Sequence, residues 1–211
     1  MTEQEQLSPP IAQKHAHIHS IHGDERLDNY YWLRTRENSE VIAYLEAENQ
    51  YTEAMMKHTE SLQTDLYKEM LSRIQETDLS VPSRKDNYYY YTRTEEGKAY
   101  GIFCRKEGSL DAPEEILLDQ NQLAEGHEYF AVGVLSVSPN HQILAYSIDT
   151  TGAEKYTLYF LNLNTREVYL QSIPDTYYSF VWANDNQTVF YTKVDSANRP
   201  DRLLRHSLED A

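Results

Sequence analysis

The amino-acid sequence predicts an α+β chain: an N-terminal arm and two helices, then the first two to three blades of an incomplete β-propeller. Three observations carry that prediction. Residues 39–74 are rich in Glu and Ala and place their apolar side chains at helical intervals. Residues 77–211 hold 13 of the 18 tyrosines, in short segments bounded by Gly, Asn, Asp and Pro. Within that second stretch one pattern returns without a gap after 45 residues.

Taken in order, residues 1–38 read as an extended arm, because Pro9 and Pro10 block a helix and "HAHIHSIHG" alternates with period two. Ser39 is the expected cap of a first helix carrying Val41, Ile42, Leu45, Tyr51, Met55 and His58. A second cap at Thr59 or Ser61 opens a helix in which Leu62, Leu66 and Met70 step by four, as do Tyr67 and Leu71, with Ile74 three further on. The polar stretch "QETDLSVPSRKDN" then marks a change of composition, and we divide the chain there into residues 1–76 and 77–211.

Beyond it the expected strands are "YYYYTR", "YGIFCR", "EILLD", "YFAVGVLSVS", "ILAYSID", "YTLYFLNL", "VYLQSI", "YYSFVWA", "TVFYTKV" and "RLLRHSL". Residues 135–147 laid over 180–192 pair Leu135 with Phe180, Val137 with Trp182, Leu144 with Val189 and Tyr146 with Tyr191. The frame recurs around Tyr91-Thr92 at a spacing of 55. A unit of about 40–50 residues built from short antiparallel strands is the pattern of a propeller blade, and a propeller closes with about four to eight of them. The four tyrosines 88–91 then read as an inner strand with rings buried on both faces.

Composition narrows the function. The net charge of −15 divides almost evenly, −7 over residues 1–76 and −8 over 77–211, so it is no acidic tail; it disfavours nucleic acid and anionic membranes, and it suits either cationic peptides or solubility alone. The polar start and the lack of a long apolar run predict a cytoplasmic chain with no membrane partner. The single Cys104 excludes an internal disulfide and reads as a packed strand residue. No G-x-S-x-G elbow, phosphate loop or H-E-x-x-H helix occurs, and "EGSLDAP" at 107–113 reads as a hairpin loop. Of His15, His17, His19 and His22, the first three would share one strand face, but with no carboxylate before Asp24 and no Cys they read as ordinary imidazoles. His127 and Glu128 read as a structural loop. No catalytic residue, metal or cofactor is expected.

"HGDERLDNYYWLR" at 22–34 resembles the N-terminal signature of oligopeptidase B, a prolyl-oligopeptidase-type serine peptidase that cleaves short peptides after Arg or Lys. "RIQETDLSVP", "LAEGHEYF", "VSPNHQILAYSIDTTGAEKYTLY" and "RPDRLLRHSL" continue the likeness in order from Pro9 onward. Thr35 departs from it where an acidic residue is expected. The resemblance implies that the arm and helices belong to an α/β-hydrolase domain. It makes His22, Gly23, Asp24, Arg26, Asp28, Tyr31, Trp32 and Arg34 the structural signature. It also makes Glu76, Thr77, Asp78, Leu79, Ser80, Val81 and Pro82 the first crossing into a seven-bladed propeller that filters substrate by size. The triad and the specificity pocket would lie in a C-terminal part that this chain lacks. Expected partners are short basic peptides for the parent enzyme, and the absent hydrolase domain or self-association at the open propeller edge. The alternative is a non-catalytic binding module that oligomerises or docks on a separate hydrolase subunit.

Overall fold

The computed structural model describes residues 8–209 and divides into two compact units, residues 1–74 and 75–211. The polar start, Met1 to Leu7, lies outside the described residues.

The first unit begins with a hairpin of β1 (His17–Ile21) and β2 (Asp24–Asp28), paired from His17 with Asp28 to Ile21 with Asp24. Its two-residue turn places His22 at φ 55° and Gly23 at φ 82°, the left-handed pair that matches strand twist in a tight hairpin. The arm is therefore folded back on itself, and a 3₁₀ turn, Tyr31–Arg34, follows. Helix α1 (Ser39–Met56) is capped by Asn38, whose side chain accepts from the Glu40 N–H at 2.9 Å; the expected cap, Ser39, is the first helical residue instead. A 3₁₀ turn, Lys57–Thr59, leads into α2 (Glu60–Ser72). Thr59 does not cap α2 with its hydroxyl, which donates to the Met56 carbonyl at 2.7 Å and accepts from Gln63. Of the apolar residues along these helices only Val41 is buried, while Leu45, Leu62, Leu66 and Met70 are exposed.

The second unit is antiparallel throughout. Strands β3 (Ser83–Lys85), β4 (Tyr88–Arg93), β5 (Ile102–Glu107) and β6 (Glu115–Asp119) form one sheet in sequence order. A short helix, α3 (Gln120–Ala124), connects it to the second sheet. There β7 (Ala131–Val137), β8 (Ile143–Asp149), β9 (Tyr156–Asn162), β10 (Ile173–Trp182), β11 (Thr188–Val194) and β12 (Pro200–Ser207) again follow sequence order. "VYLQSI" does not form a separate strand: Val168 makes one isolated bridge to Leu161, and Ile173 already begins β10. Strand β10 is long because it serves two neighbours. Ile173 and Thr176 pair with β9, whereas Thr176 and Phe180–Trp182 pair with β11, with shifts of register between.

The sequence repeat is a repeat of register. Leu135 pairs with Tyr146 as Phe180 pairs with Tyr191, and Val137 pairs with Leu144 as Trp182 pairs with Val189. Each tyrosine then faces the residue thirteen positions on: Tyr91 with Cys104, Tyr146 with Tyr159, Tyr191 with Leu204. The turns agree as well. Ser138 N–H donates to Ile143 O and Ala183 N–H to Thr188 O, both at 2.8 Å, with His141 and Asn186 at φ 61° and 65°.

Strand β8 is buried on both faces. Its Ile143 and Ala145 join Leu158, Phe160, Trp182 and Val189 on one side; Leu144 and Tyr146 join Leu117, Leu118, Val137 and Leu161 on the other. Strand β4 is an inner strand of its sheet, between β3 and β5, as expected, but only Tyr91 is buried, and Tyr88, Tyr89 and Tyr90 are half-buried. Tyr88 and Tyr90 turn toward His141 of the second sheet, with ring centroids 4.8 and 5.9 Å away. Tyr91 packs with Ile102 and Cys104 of its own sheet and donates to Glu114 Oε2 at 2.6 Å.

Polar side chains complete the contact between the sheets. Arg105, buried, forks onto Glu115 at 2.6 and 3.2 Å, donates to His141 O at 2.6 Å and lies 4.4 Å over the Tyr88 ring. Asp86 can only accept, so His141 carries its proton on Nε2, 2.9 Å from Asp86, and takes the Tyr90 hydroxyl on Nδ1 at 2.7 Å.

Phe160 is fully buried at the centre of the larger cluster, whereas Leu170 is fully exposed. Phe160→Ala is expected to cost about 3–5 kcal/mol in urea unfolding and Leu170→Ala close to nothing; equal midpoints for the two variants would contradict this packing.

Candidate functional site

The chain enters its second unit through residues 76–82, and these residues are stitched to β4 and the loop that follows it. Ser80 N–H donates to Thr92 O at 2.8 Å, and Thr92 N–H to Ser80 Oγ at 2.9 Å. Thr94 N–H donates to Asp78 O at 2.8 Å, while the Thr94 hydroxyl donates to Glu76 O at 2.6 Å. Glu76 and Thr77 side chains accept from Gly97 and Glu96 N–H groups. Backbone polar groups thus find partners along this edge, while Leu79 and Val81 point their side chains to the exterior of the chain. Residues 76–82 are thus a paired margin of the first sheet.

The loops at this end of the sheets, after β4, β8 and β11, are held by carboxylates. Asp149 accepts from the Thr151 N–H and hydroxyl at 2.8 and 2.7 Å and from the Glu154 N–H at 2.9 Å. Asp195 accepts from the Ala197 and Arg199 N–H groups and from the Arg199 guanidinium. Equivalent loops also touch, since Asn198 donates to Ala153 O at 3.1 Å. Burial pushes the Asp149 carboxyl up, but the hydrogen bonds from Thr151, Glu154 and Gly152 outweigh it and hold the group below its ordinary value.

In the first unit residues 22–34 divide between the hairpin turn, an exposed ion pair and two aromatic contacts, of which the Tyr31 ring is the more crowded. Tyr31 stacks on His17 with centroids 3.8 Å apart and planes within 3°, meets His19 edge-on at 4.6 Å, and receives the Arg34 guanidinium on its hydroxyl and over its face. Trp32 lies 5.0 Å from His15, 6.4 Å from Tyr44, and donates its indole N–H to Gln13 O at 3.0 Å. Asp28 accepts from Tyr30 N–H and lies 3.8 Å from His19, and His15 lies 3.4 Å from Glu40. Asp24 and Arg26 form a wide, exposed pair at 3.9 Å, of the kind that adds little stability. His22 and Gly23 make the hairpin turn. The alternating histidines are thus taken up by aromatic stacking and carboxylates, and among the described residues no group of three or more His, Cys, Asp or Glu has metal-holding geometry.

The remaining sequence candidates are structural. Burial pushes the Cys104 thiol up to about 12, which keeps it protonated and unreactive. His127 and Glu128 lie in the exposed connection between α3 and β7. The Arg105–Glu115–His141 cluster was not foreseen: its members are scattered in sequence, and only the recurrence of a turn at His141 and Asn186 hints that this position matters.

Register, turns and strand order define an antiparallel repeat of the propeller class, with a mostly β unit preceded by a few helices. The chain belongs to the prolyl oligopeptidase family: the family model described as "Prolyl oligopeptidase, N-terminal beta-propeller domain" matches residues 9–211. Over 206 residues it is 38% identical to Protease 2 of Moraxella lacunata, covering 94% of this chain and 30% of that protein. Over 213 residues it is 39% identical to dipeptidyl aminopeptidase BI of Pseudoxanthomonas mexicana, covering 93% of this chain and 29% of that protein. Among solved structures, oligopeptidase B from Leishmania major superposes with a TM-score of 0.87 at 31% identity, over 96% of this chain and 31% of the other. The chain therefore spans about a third of the length of the relatives it matches.

Because the folded Asp149 carboxyl ionises below its unfolded value, its contribution to stability is present above about pH 4 and is lost as pH falls through the folded value. Urea midpoints measured from pH 7 to 3 should fall less steeply for Asp149→Asn than for the parent chain; parallel acid limbs would remove Asp149 from this role.

Proposed function

We propose that this chain is the N-terminal and propeller portion of a serine-type oligopeptidase, the part that admits short peptides to a hydrolase centre cleaving after Arg or Lys. The single observation that carries the reading is the match to oligopeptidase B over nearly the whole of this chain and only a third of that one. In this reading the arm and helices belong with a hydrolase domain, the three register-matched hairpins are the first two to three blades, and residues 76–82 are the first crossing. The net charge of −15 suits basic peptides, and the exposed apolar side chains of α1 and α2 suit a covering domain. Among the described residues no helix is long and apolar enough to cross a membrane, which is compatible with a cytoplasmic site of action.

The chain alone is inactive in this reading, since no nucleophile elbow occurs in it. The test is complementation. Mixed or co-expressed with the C-terminal hydrolase portion of a Protease 2 relative, the chain should restore cleavage of fluorogenic Arg and Lys substrates, with proline substrates untouched. Restored cleavage after proline, release of N-terminal dipeptides, or no restoration would each overturn the assignment.

The sheet edges favour a second reading, self-association. Strand β12 has β11 on one side only and exposes Leu203, an arrangement that templates further pairing. Light scattering after gel filtration separates the two: a discrete oligomer is expected of a self-completing module, and heterogeneous aggregate of a portion that lacks its partner.

A further inference from the structure

We propose that the loop end of the second sheet carries a carboxylate-binding subsite, built by Lys155, Lys193 and Arg202, that takes the C-terminal carboxylate of a short peptide. The inference rests on the peptide-gating reading above and assigns to it a contact of defined chemistry. These three cations line an open cavity of about 340 Å³ together with Asp175, Asp195 and Ser196. The strands place them there. Lys193 of β11 lies directly opposite Arg202 of β12 and, on its other side, opposite Thr176 of β10, which itself pairs with Tyr156 next to Lys155. Two cations directly opposite each other on neighbouring strands repel, and the arrangement is favourable when an anion lies between them.

The local carboxylates do not supply that anion in full. Asp195 is committed to Arg199, at 2.8 and 3.0 Å, and to the N–H groups of its loop. Asp201 is paired with Arg202 at 3.2 Å. Asp175 lines the same cavity; with Asp195 set against Arg199, Asp201 against Arg202 and Asp175 counted with Lys155 and Lys193, one net positive charge remains there in a chain of net charge −15. A single excess charge matches a carboxylate rather than a phosphate, which carries more. The position fits the reading too. The loop after β11 is the repeat equivalent of the loop after β4, where residues 76–82 enter the unit, so the cavity opens at the same end of the sheets as the crossing.

The test uses the 211-residue chain, biotinylated and immobilised at low density so that association between copies does not interfere. One N-acetylated hexapeptide containing a single Arg is presented as free acid and as C-terminal amide, and inorganic phosphate serves as competitor. The free acid is expected to bind about tenfold more tightly than the amide, as a charge-assisted contact of this kind provides. Lys155→Gln/Lys193→Gln should bring the acid down to the amide level, and Lys193→Arg should keep most of the difference; circular dichroism of both variants controls for folding. Equal binding of acid and amide, a difference that survives the double substitution, no binding of either peptide, or displacement by phosphate at concentrations as low as the acid itself would each overturn the subsite. The complementation assay is independent of it. Restored Arg and Lys cleavage without carboxylate discrimination sinks the subsite alone, and discrimination without restored cleavage sinks the gating reading.

Discussion

Burial of β8 on both faces is the constraint on which the second unit depends. A strand whose side chains alternate between two apolar clusters needs a packed layer on each side. Ile143 and Ala145 require the β9–β11 layer, and Leu144 and Tyr146 require the sheet that contributes Leu117 and Leu118. Neither layer is dispensable, because a slip of one residue would send every apolar side chain of β8 to the wrong cluster. Gly133 follows from the same crowding. A Cβ there would lie 2.8 Å from the Tyr156 ring and 2.9 Å from Ser147 Oγ, and Ser147 uses that oxygen to accept from Val134 N–H where the β7 register shifts.

Around this apolar centre the polar groups are arranged by repetition. Tight turns at His141 and Asn186 close one end of successive hairpins, and Asp149 and Asp195 organise loops at the other. The repeat varies where neighbours differ. His141 replaces an asparagine at the turn and thereby reaches both Asp86 and Tyr90, which Asn186 does not do; Asn186 instead accepts from Asn140 N–H at 2.7 Å.

Much of this was legible in the sequence because the repeat writes its geometry in residue spacing. The 45-residue offset placed Tyr146 and Tyr191 in equivalent pairs, and "EILLD", "ILAYSID" and "TVFYTKV" coincide with strands residue for residue. The misses have physical causes. Four consecutive tyrosines read as buried on both faces, and they do pack on both, but only Tyr91 is fully covered, because the completeness of covering depends on layers contributed from far away in sequence. Asn38 and Ser39 are both good caps, and only the backbone decides between them. The short strand β3, paired only with β4, and the five-residue α3 lack enough periodic residues to be seen. For the site, the contacts of Tyr31 with His17, His19 and Arg34 emerge only from folding the arm into a hairpin, since sequence spacing alone does not bring those side chains together.

The dual allegiance of β10 makes the second sheet mechanically unequal to its junction with the first. From β7 to β12 each strand is paired to the next by backbone hydrogen bonds, though with shifts of register along β10, so separating any two neighbours there breaks backbone hydrogen bonds. Between the two sheets, the described hydrogen bonds run through side chains: Tyr90, Asp86 and His141, Arg105 to His141 O, and Arg166 to Leu117 O. Apart from those bonds the seam is held by apolar packing, Leu117 and Leu118 against Leu144, Tyr146 and Leu161. Opening of that seam under load or in early unfolding would strip Leu144 and Tyr146 of their second layer, so loss of the four-stranded sheet would destabilise the six-stranded one in turn.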